Sequence, residues 1–125
     1  KEVCITAPAW APFPKLPKET AEVTSGIVGD TMVVIGAYTC DTMLCDLTTE
    51  KWRSGAPRPY CGDHHAGAVI GDAIYIIGGD GKDSAGKIQR FTPGNNKWNV
   101  FEEQMPMGVA SANIAVVDRD VYMCG

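Results

Sequence analysis

Tyr60, Cys61, His64 and His65 form the densest group of chemically capable side chains in the sequence. Imidazole nitrogen and phenolate oxygen both suit copper. The two histidines are adjacent, however, and neighbouring side chains on a strand point to opposite faces, so both cannot readily hold one ion. The chain has only 2 His, so a metal centre would need ligands from elsewhere. A second candidate is Gly81-Lys82-Asp83-Ser84-Ala85-Gly86-Lys87, which fits the first seven positions of a nucleotide-binding Gly-x-x-x-x-Gly-Lys loop. Ile88 stands where the Mg²⁺-holding Ser or Thr belongs, and strand rather than helix is expected to follow. Asp80, Asp83 and Ser84 suggest a cation loop, but Lys82 occupies an alternate position that calcium needs for oxygen. No Gly-x-Ser-x-Gly elbow is present, and Glu102-Glu103 reads as a solvated pair beside a turn. The expectation is a non-enzymatic chain with no catalytic, cofactor or metal site.

The elements that would carry these residues repeat. His65 to Gly79 reads as two short apolar strands, Ala66 to Ile70 and Ala73 to Ile77. They are joined at Gly71-Asp72, a two-residue hairpin signal, and closed by Gly78-Gly79. Ser25 to Ala37 and Asn113 to Gly125 repeat the pattern. Trp10, Trp52 and Trp98 are spaced by 42 and 46 residues, and Pro17, Pro59 and Pro106 by 42 and 47. A period of about 40–50 residues with a tryptophan and a glycine pair points to propeller blades. The first copy is expected to place strands over Glu22–Val28, Thr31–Ile35 and Thr42–Leu47, with a fourth beginning at Lys51. The second is expected over His64–Ile70, Ala73–Ile77, Lys87–Thr92 and Lys97–Phe101. The third has Ser111–Val117 and Val121–Cys124 only. Lys1–Ile5 reads as a strand ending an earlier repeat. The four prolines of Ala7–Pro17 rule out a helix or a central strand there.

The fold class is therefore all-β, with blades of four antiparallel strands in an incomplete propeller of about two to three blades. Residues 1–17 are expected to finish a preceding blade and its connector. Residues 18–57 form one blade, 58–105 the next, and 106–125 the start of a further one. Both ends look like cuts through repeats, giving the expectation of a segment from a longer chain. Trp52 and Trp98, recurring at one blade position, are expected to pack between neighbouring blades.

At 125 residues, 45% hydrophobic and a formal net charge of −4, the chain can build a core. It lacks the clustered positive charge that nucleic acid needs and the run of about 20 apolar residues a membrane helix needs. Cys4, Cys40, Cys45, Cys61 and Cys124 are odd in number, irregular in spacing and contain no Cys-x-x-Cys. A reducing, cytoplasmic setting is expected, with Cys4, Cys45 and Cys124 as small buried hydrophobes.

These features together resemble the kelch repeat, most closely in His65-Ala66-Gly67, Ile74-Tyr75-Ile76-Ile77-Gly78-Gly79, Phe91 seven positions before Trp98, and Met105-Pro106. Gly36-Ala37 departs from the glycine pair, and Cys45 stands where an aromatic residue usually precedes Trp52. The resemblance implies a protein-binding propeller. Kelch members include actin cross-linkers such as scruin, substrate receptors of cullin-type ubiquitin ligases and, more remotely, the copper enzyme galactose oxidase. It also implies a structural role for His65. The loops expected to face a partner are 36–40, 53–63, 80–86 and 102–110, with Arg58, Tyr60, Asp63, Asp80, Lys82 and Asp83 as interface residues. The expected partner is a protein, with filamentous actin first and a cytoskeletal association implied. Neighbouring blades of the same longer chain complete the propeller.

Overall fold

The computed structural model describes residues 9–125. The expected strand at Lys1–Ile5 lies outside them. Ten strands follow in order: β1 Thr24–Val28, β2 Thr31–Ile35, β3 Thr42–Asp46, β4 Lys51–Ser54, β5 Ala66–Ile70, β6 Ala73–Ile77, β7 Ile88–Thr92, β8 Lys97–Val100, β9 Asn113–Val117 and β10 Asp120–Cys124. They pair antiparallel, each with its sequence neighbour, into sheets β1-β2-β3-β4, β5-β6-β7-β8 and β9-β10. Among the described residues no helix is long and apolar enough to cross a membrane.

Several expected strands begin one or two residues late. Glu22, Val23, His64, His65, Ser111 and Ala112 fall outside the ladders. The cause is local: Glu22, His64 and Ser111 take left-handed φ values of 49, 48 and 55°, which breaks the extended backbone. Each stands two residues before the first strand of its sheet.

Blade-to-blade packing runs through those first strands. β1 lies against β5, and β5 against β9. The core is one cluster shared by the two complete blades: Val33, Ile35 and Leu44 from the first, Ile74, Ile76 and Phe91 from the second, all fully buried. Burying each such side chain contributes about 1.5–3 kcal/mol. Trp98 packs on this cluster, with its ring centroid 5.0 Å from that of Phe91.

The repeat extends to hydrogen bonds. Trp52 Nε1 donates to Pro14 O at 3.2 Å, and Trp98 Nε1 donates to Ala56 O at 2.9 Å. Each indole thus ties its outer strand to the segment entering its blade. Trp10, by contrast, is 97% exposed.

Alternation of strand direction sorts the connections. The two-residue turns after β1, β5 and β9, and the turns after β3 and β7, lie at one end of the sheets. The longer connections, 36–41, 55–65, 78–87 and 101–112, lie at the other. The short turns are locally made: Asp46 Oδ1 accepts the N–H groups of Thr48 and Thr49 at 2.8 and 3.0 Å. The Thr48 hydroxyl, which also donates to Asp46 Oδ1, and then these N–H groups hold the Asp46 carboxyl below its usual range.

Candidate functional site on the loop face

The long connections converge because backbone groups tie them together. Arg58 N donates to Cys40 O at 2.8 Å. Asp63 and Asp80 exchange a pair of backbone bonds, and Ser111 N donates to His64 O. Gly79, at φ 111°, donates its N–H to Val109 O. A Cβ on Gly79 would meet Asp63 O and His65, so only glycine lets these three connections close on one another.

Cys40 and Cys61 are joined as a disulfide, with Cα atoms 4.9 Å apart. The sequence leaves the state of these two cysteines open. Their spacing of 21 residues carries no sign of the pairing, which arises because the connections after β2 and β4 meet at one end of the sheet. With the bond goes the premise for a reducing setting, since disulfides persist in oxidising ones. It also leaves Cys61 without a thiol to cross-link a tyrosine, as a galactose-oxidase-like centre would need. Cys45 is buried as expected; Cys124 is exposed on β10, and Cys4 lies outside the described residues.

Beneath the disulfide, Arg58 is buried with no carboxylate beside it. Nη1 lies 3.2 Å from His65 Nδ1, and Nη2 donates to Gly62 O at 2.6 Å. Burial pulls the guanidinium down to about 10. His65 is buried too, and burial followed by the Arg58 charge lowers its imidazole to about 4. His65 is thus a neutral packing residue, in keeping with the structural role the resemblance implies.

A different group gathers nearer the solvent. His64 Nε2 lies 3.3 Å from Glu22 Oε1, and His64 Nδ1 lies 3.3 Å from Asp63 Oδ1. Tyr38 donates its hydroxyl to Glu22 Oε2 at 2.8 Å. Glu22, Asp63 and His64 each bring a ligand-type atom within 4.8 Å of the others. Asp63, then Glu22, raise the His64 imidazole above its ordinary value. Burial alone would push the Asp63 carboxyl up, but His64 and Tyr38 hold it below its usual range. The hydrogen bond to Glu22, with Asp63 close by, raises the Tyr38 phenol strongly.

The expected interface residues divide. Arg58 and Asp63 are buried and do not offer an open surface. Tyr60 is half-buried; its N–H and C=O are both clamped by the Gln89 amide at 3.0 Å, and the Lys87 ammonium sits 5.1 Å from its ring centroid. Asp80, Lys82 and Asp83 are exposed on the connection after β6. Gly81–Lys87 is a turn closed by Ser84 N and Ala85 N on Gly81 O, with strand β7 following. Glu22 and Tyr38 were not singled out in the sequence. A signal for Glu22 was present: Glu22, His64 and Ser111 each stand five residues after the repeated Pro17, Pro59 and Pro106.

Sheets of four antiparallel strands, stacked through their first strands with long connections on one face, define blades of a β-propeller. A family model described as "Kelch motif" matches residues 62–103. The chain belongs to the kelch-repeat family of β-propellers. It is 29% identical over 86 residues to beta-scruin of Limulus polyphemus, covering 66% of this chain and 9% of that protein. It is 30% identical over 128 residues to N-acetylneuraminate epimerase of Escherichia coli strain K12, covering 90% of this chain and 33% of that protein. A solved structure titled "Structure of YjhT" superposes with a TM-score of 0.79 at 26% identity, over 89% of this chain and 35% of that one. The chain spans from about a tenth to a third of the length of these relatives.

The expectation of a non-enzymatic chain is corrected by these relatives. The epimerase match runs over nearly the whole segment, so the likeness extends to an enzymatic propeller. No complete catalytic set is visible within the 125 residues. A propeller can assemble its site from many blades, each supplying one or two side chains.

Proposed function

We propose that this chain is an arc of a kelch propeller enzyme that takes an acidic sugar on its loop face. The observation that carries the reading is the convergence of Glu22, Tyr38, Asp63 and His64 where two adjacent first strands begin. First strands line the centre of a propeller, so these groups stand at the mouth of its channel. They offer carboxylate acceptors, an imidazole and a phenol at hydrogen-bond spacing, a set suited to sugar hydroxyls. The similarity to N-acetylneuraminate epimerase over 90% of the chain supports the substrate class. The test is NMR of N-acetylneuraminate displaced from its epimer equilibrium. The full-length protein is expected to speed the return to equilibrium, and Glu22→Gln to slow it. A return no faster than in buffer overturns the reading.

A second reading is protein binding, with filamentous actin as the partner. It is supported by the exposed Asp80, Lys82 and Asp83 on the same face and by the similarity to beta-scruin. Cosedimentation of the full-length protein with actin filaments tests it. Retention in the supernatant at low salt and across a wide concentration range ends that reading.

A further inference from the structure

We propose that the Cys40–Cys61 disulfide is a redox latch on the loop face. Its reduction by a dithiol frees the connection 36–41 from the connection 55–65 and takes apart the group formed by Glu22, Tyr38, Asp63 and His64. The latch does not rest on the sugar reading; it follows from where the two sulfurs stand and from what else holds Tyr38.

The cysteines flank that group in sequence. Cys40 comes two residues after Tyr38, and Cys61 two residues before Asp63. Both lie outside the strand ladders, whereas the shared core is built from strand residues such as Val33, Leu44 and Ile76. The cross-link therefore fastens one connection to another and not sheet to sheet.

Tyr38 shows why the fastening matters. Its φ of 58° is left-handed, a region that residues with large side chains avoid. Such a backbone persists only where its surroundings over-determine it. Packing does not do so here, because Tyr38 is 68% exposed. Its hydroxyl bond to Glu22 Oε2 is exposed as well. Other ties between the two connections are few. Arg58 N donates to Cys40 O at 2.8 Å, and Arg58 Nη2 reaches Thr39 O only at 3.5 Å. Lys18 pairs with Asp41 at 2.8 Å, but exposed ion pairs contribute little, and Lys18 belongs to neither connection. Among the described residues, cutting the disulfide leaves one short hydrogen bond between 36–41 and 55–65.

The bond is open to exchange. Cys61 is exposed, and Cys40 is partly covered. A thiolate of the dithiol attacks Cys61 Sγ; the S–S bond breaks, and its electron pair leaves with Cys40 as a thiolate. The second thiol of the reductant then displaces Cys61, and the reductant closes to its own disulfide. Two electrons pass to the protein, and the two cysteine sulfurs take up the two protons that the dithiol gives up. Arg58 favours the first step. Burial alone shifts its guanidinium, with no carboxylate beside it, and Nη2 faces the carbonyl of the residue before Cys40. A cation so placed stabilises the departing thiolate.

The experiment poises the full-length protein in dithiothreitol buffers of graded reduced-to-oxidised ratio at fixed pH. Alkylation mapped by mass spectrometry reads the state of Cys40 and Cys61, with exposed Cys124 as the thiol labelled throughout. Hydrogen exchange reads the structure at the amides of Gly36 and Arg58, which bond Asp41 O and Cys40 O. Reduction is expected to speed exchange at both about tenfold or more, while Val33 and Ile76 in the ladders stay protected. Oxidised dithiothreitol should restore the slow exchange. Cys61→Ser should exchange like the reduced protein and ignore the redox buffer. Exchange at Gly36 and Arg58 that does not respond to reduction overturns the proposal. An equal rise at Val33 and Ile76 overturns it too, because the bond would then staple the whole blade. Epimerase activity is followed in the same samples and is expected to fall on reduction. Activity absent from both states would sink the sugar reading alone; unresponsive exchange would sink the latch alone.

Discussion

Arg58 Nη1 lies 3.2 Å from His65 Nδ1, and both side chains are buried. Arginine has only donors, so His65 Nδ1 must accept and the ring proton sits on Nε2. A second proton on Nδ1 would place two cations in contact and break the bond. The folded imidazole is held down at about 4, against an unfolded value of 6.5. Between these values the unfolded chain binds the proton that the folded one refuses. Stability present above pH 6.5 is therefore lost as pH falls towards 4, by on the order of 3 kcal/mol. Urea unfolding of the full-length protein between pH 7 and 4 checks this. His65→Asn is expected to flatten the slope; an unchanged slope would show that the proton enters elsewhere.

The Cys40–Cys61 bond closes a loop with a sequence separation of 21 residues. Chain-entropy arguments give such a cross-link about 3 kcal/mol through the unfolded state. Cys61 is exposed, so reductant can reach the bond without prior unfolding. Thermal melts with and without a phosphine reductant should therefore differ, and Cys61→Ser should melt like the reduced protein. Thiol titration of the native protein should find these two cysteines silent. Two reactive thiols there, or identical melts, would contradict the pairing.

The strands were readable because short apolar runs and turn residues act over five residues or fewer. Ala66–Ile70, Ala73–Ile77 and Thr31–Ile35 fall where the apolar runs and turns put them. The tryptophan period was readable for a different reason: Trp52 and Trp98 repeat one contact, to Pro14 O and to Ala56 O. The site was not readable. His64 and Glu22 lie 42 residues apart, and they meet only because two blades stack. Their left-handed backbone also contradicts a strand reading of residues that look extended. Arg58 and Asp63, polar residues on a connection, read as exposed. Nothing local says that neighbouring connections fold over them.

Gln89 is fully buried, and its side-chain amide bonds both the N–H and the C=O of Tyr60 at 3.0 Å. It stands in for a strand pairing that the connection after β4 does not have. Met43, at the corresponding place in β3, makes no such clamp. Gln89→Leu keeps the volume but leaves two backbone groups without a partner. The expected loss is about 1–3 kcal/mol for each group that stays dry. Hydrogen exchange at the Tyr60 amide gives a local readout and should lose protection first. Protection equal to the wild-type protein would mean that the clamp is dispensable.

Gly67 sets how closely β5 can approach β1. A Cβ added there would collide with Thr24 Cγ2, although the Gly67 backbone is one any residue adopts. The penalty is thus purely steric. Thr24 cannot turn its methyl away freely, because its Oγ1 donates to His65 O at 3.0 Å. Turning the side chain would exchange a clash for a lost hydrogen bond. Gly67→Ala is expected to destabilise the full-length propeller by about 1–3 kcal/mol, the usual cost of overpacking. Serine keeps the Thr24 hydroxyl and removes the methyl. The double change Gly67→Ala with Thr24→Ser should therefore recover most of the loss, while Thr24→Ser alone costs little. Denaturant unfolding of the four proteins closes the cycle. Additive losses would mean that the two strands yield apart and that the close approach is not what joins the blades.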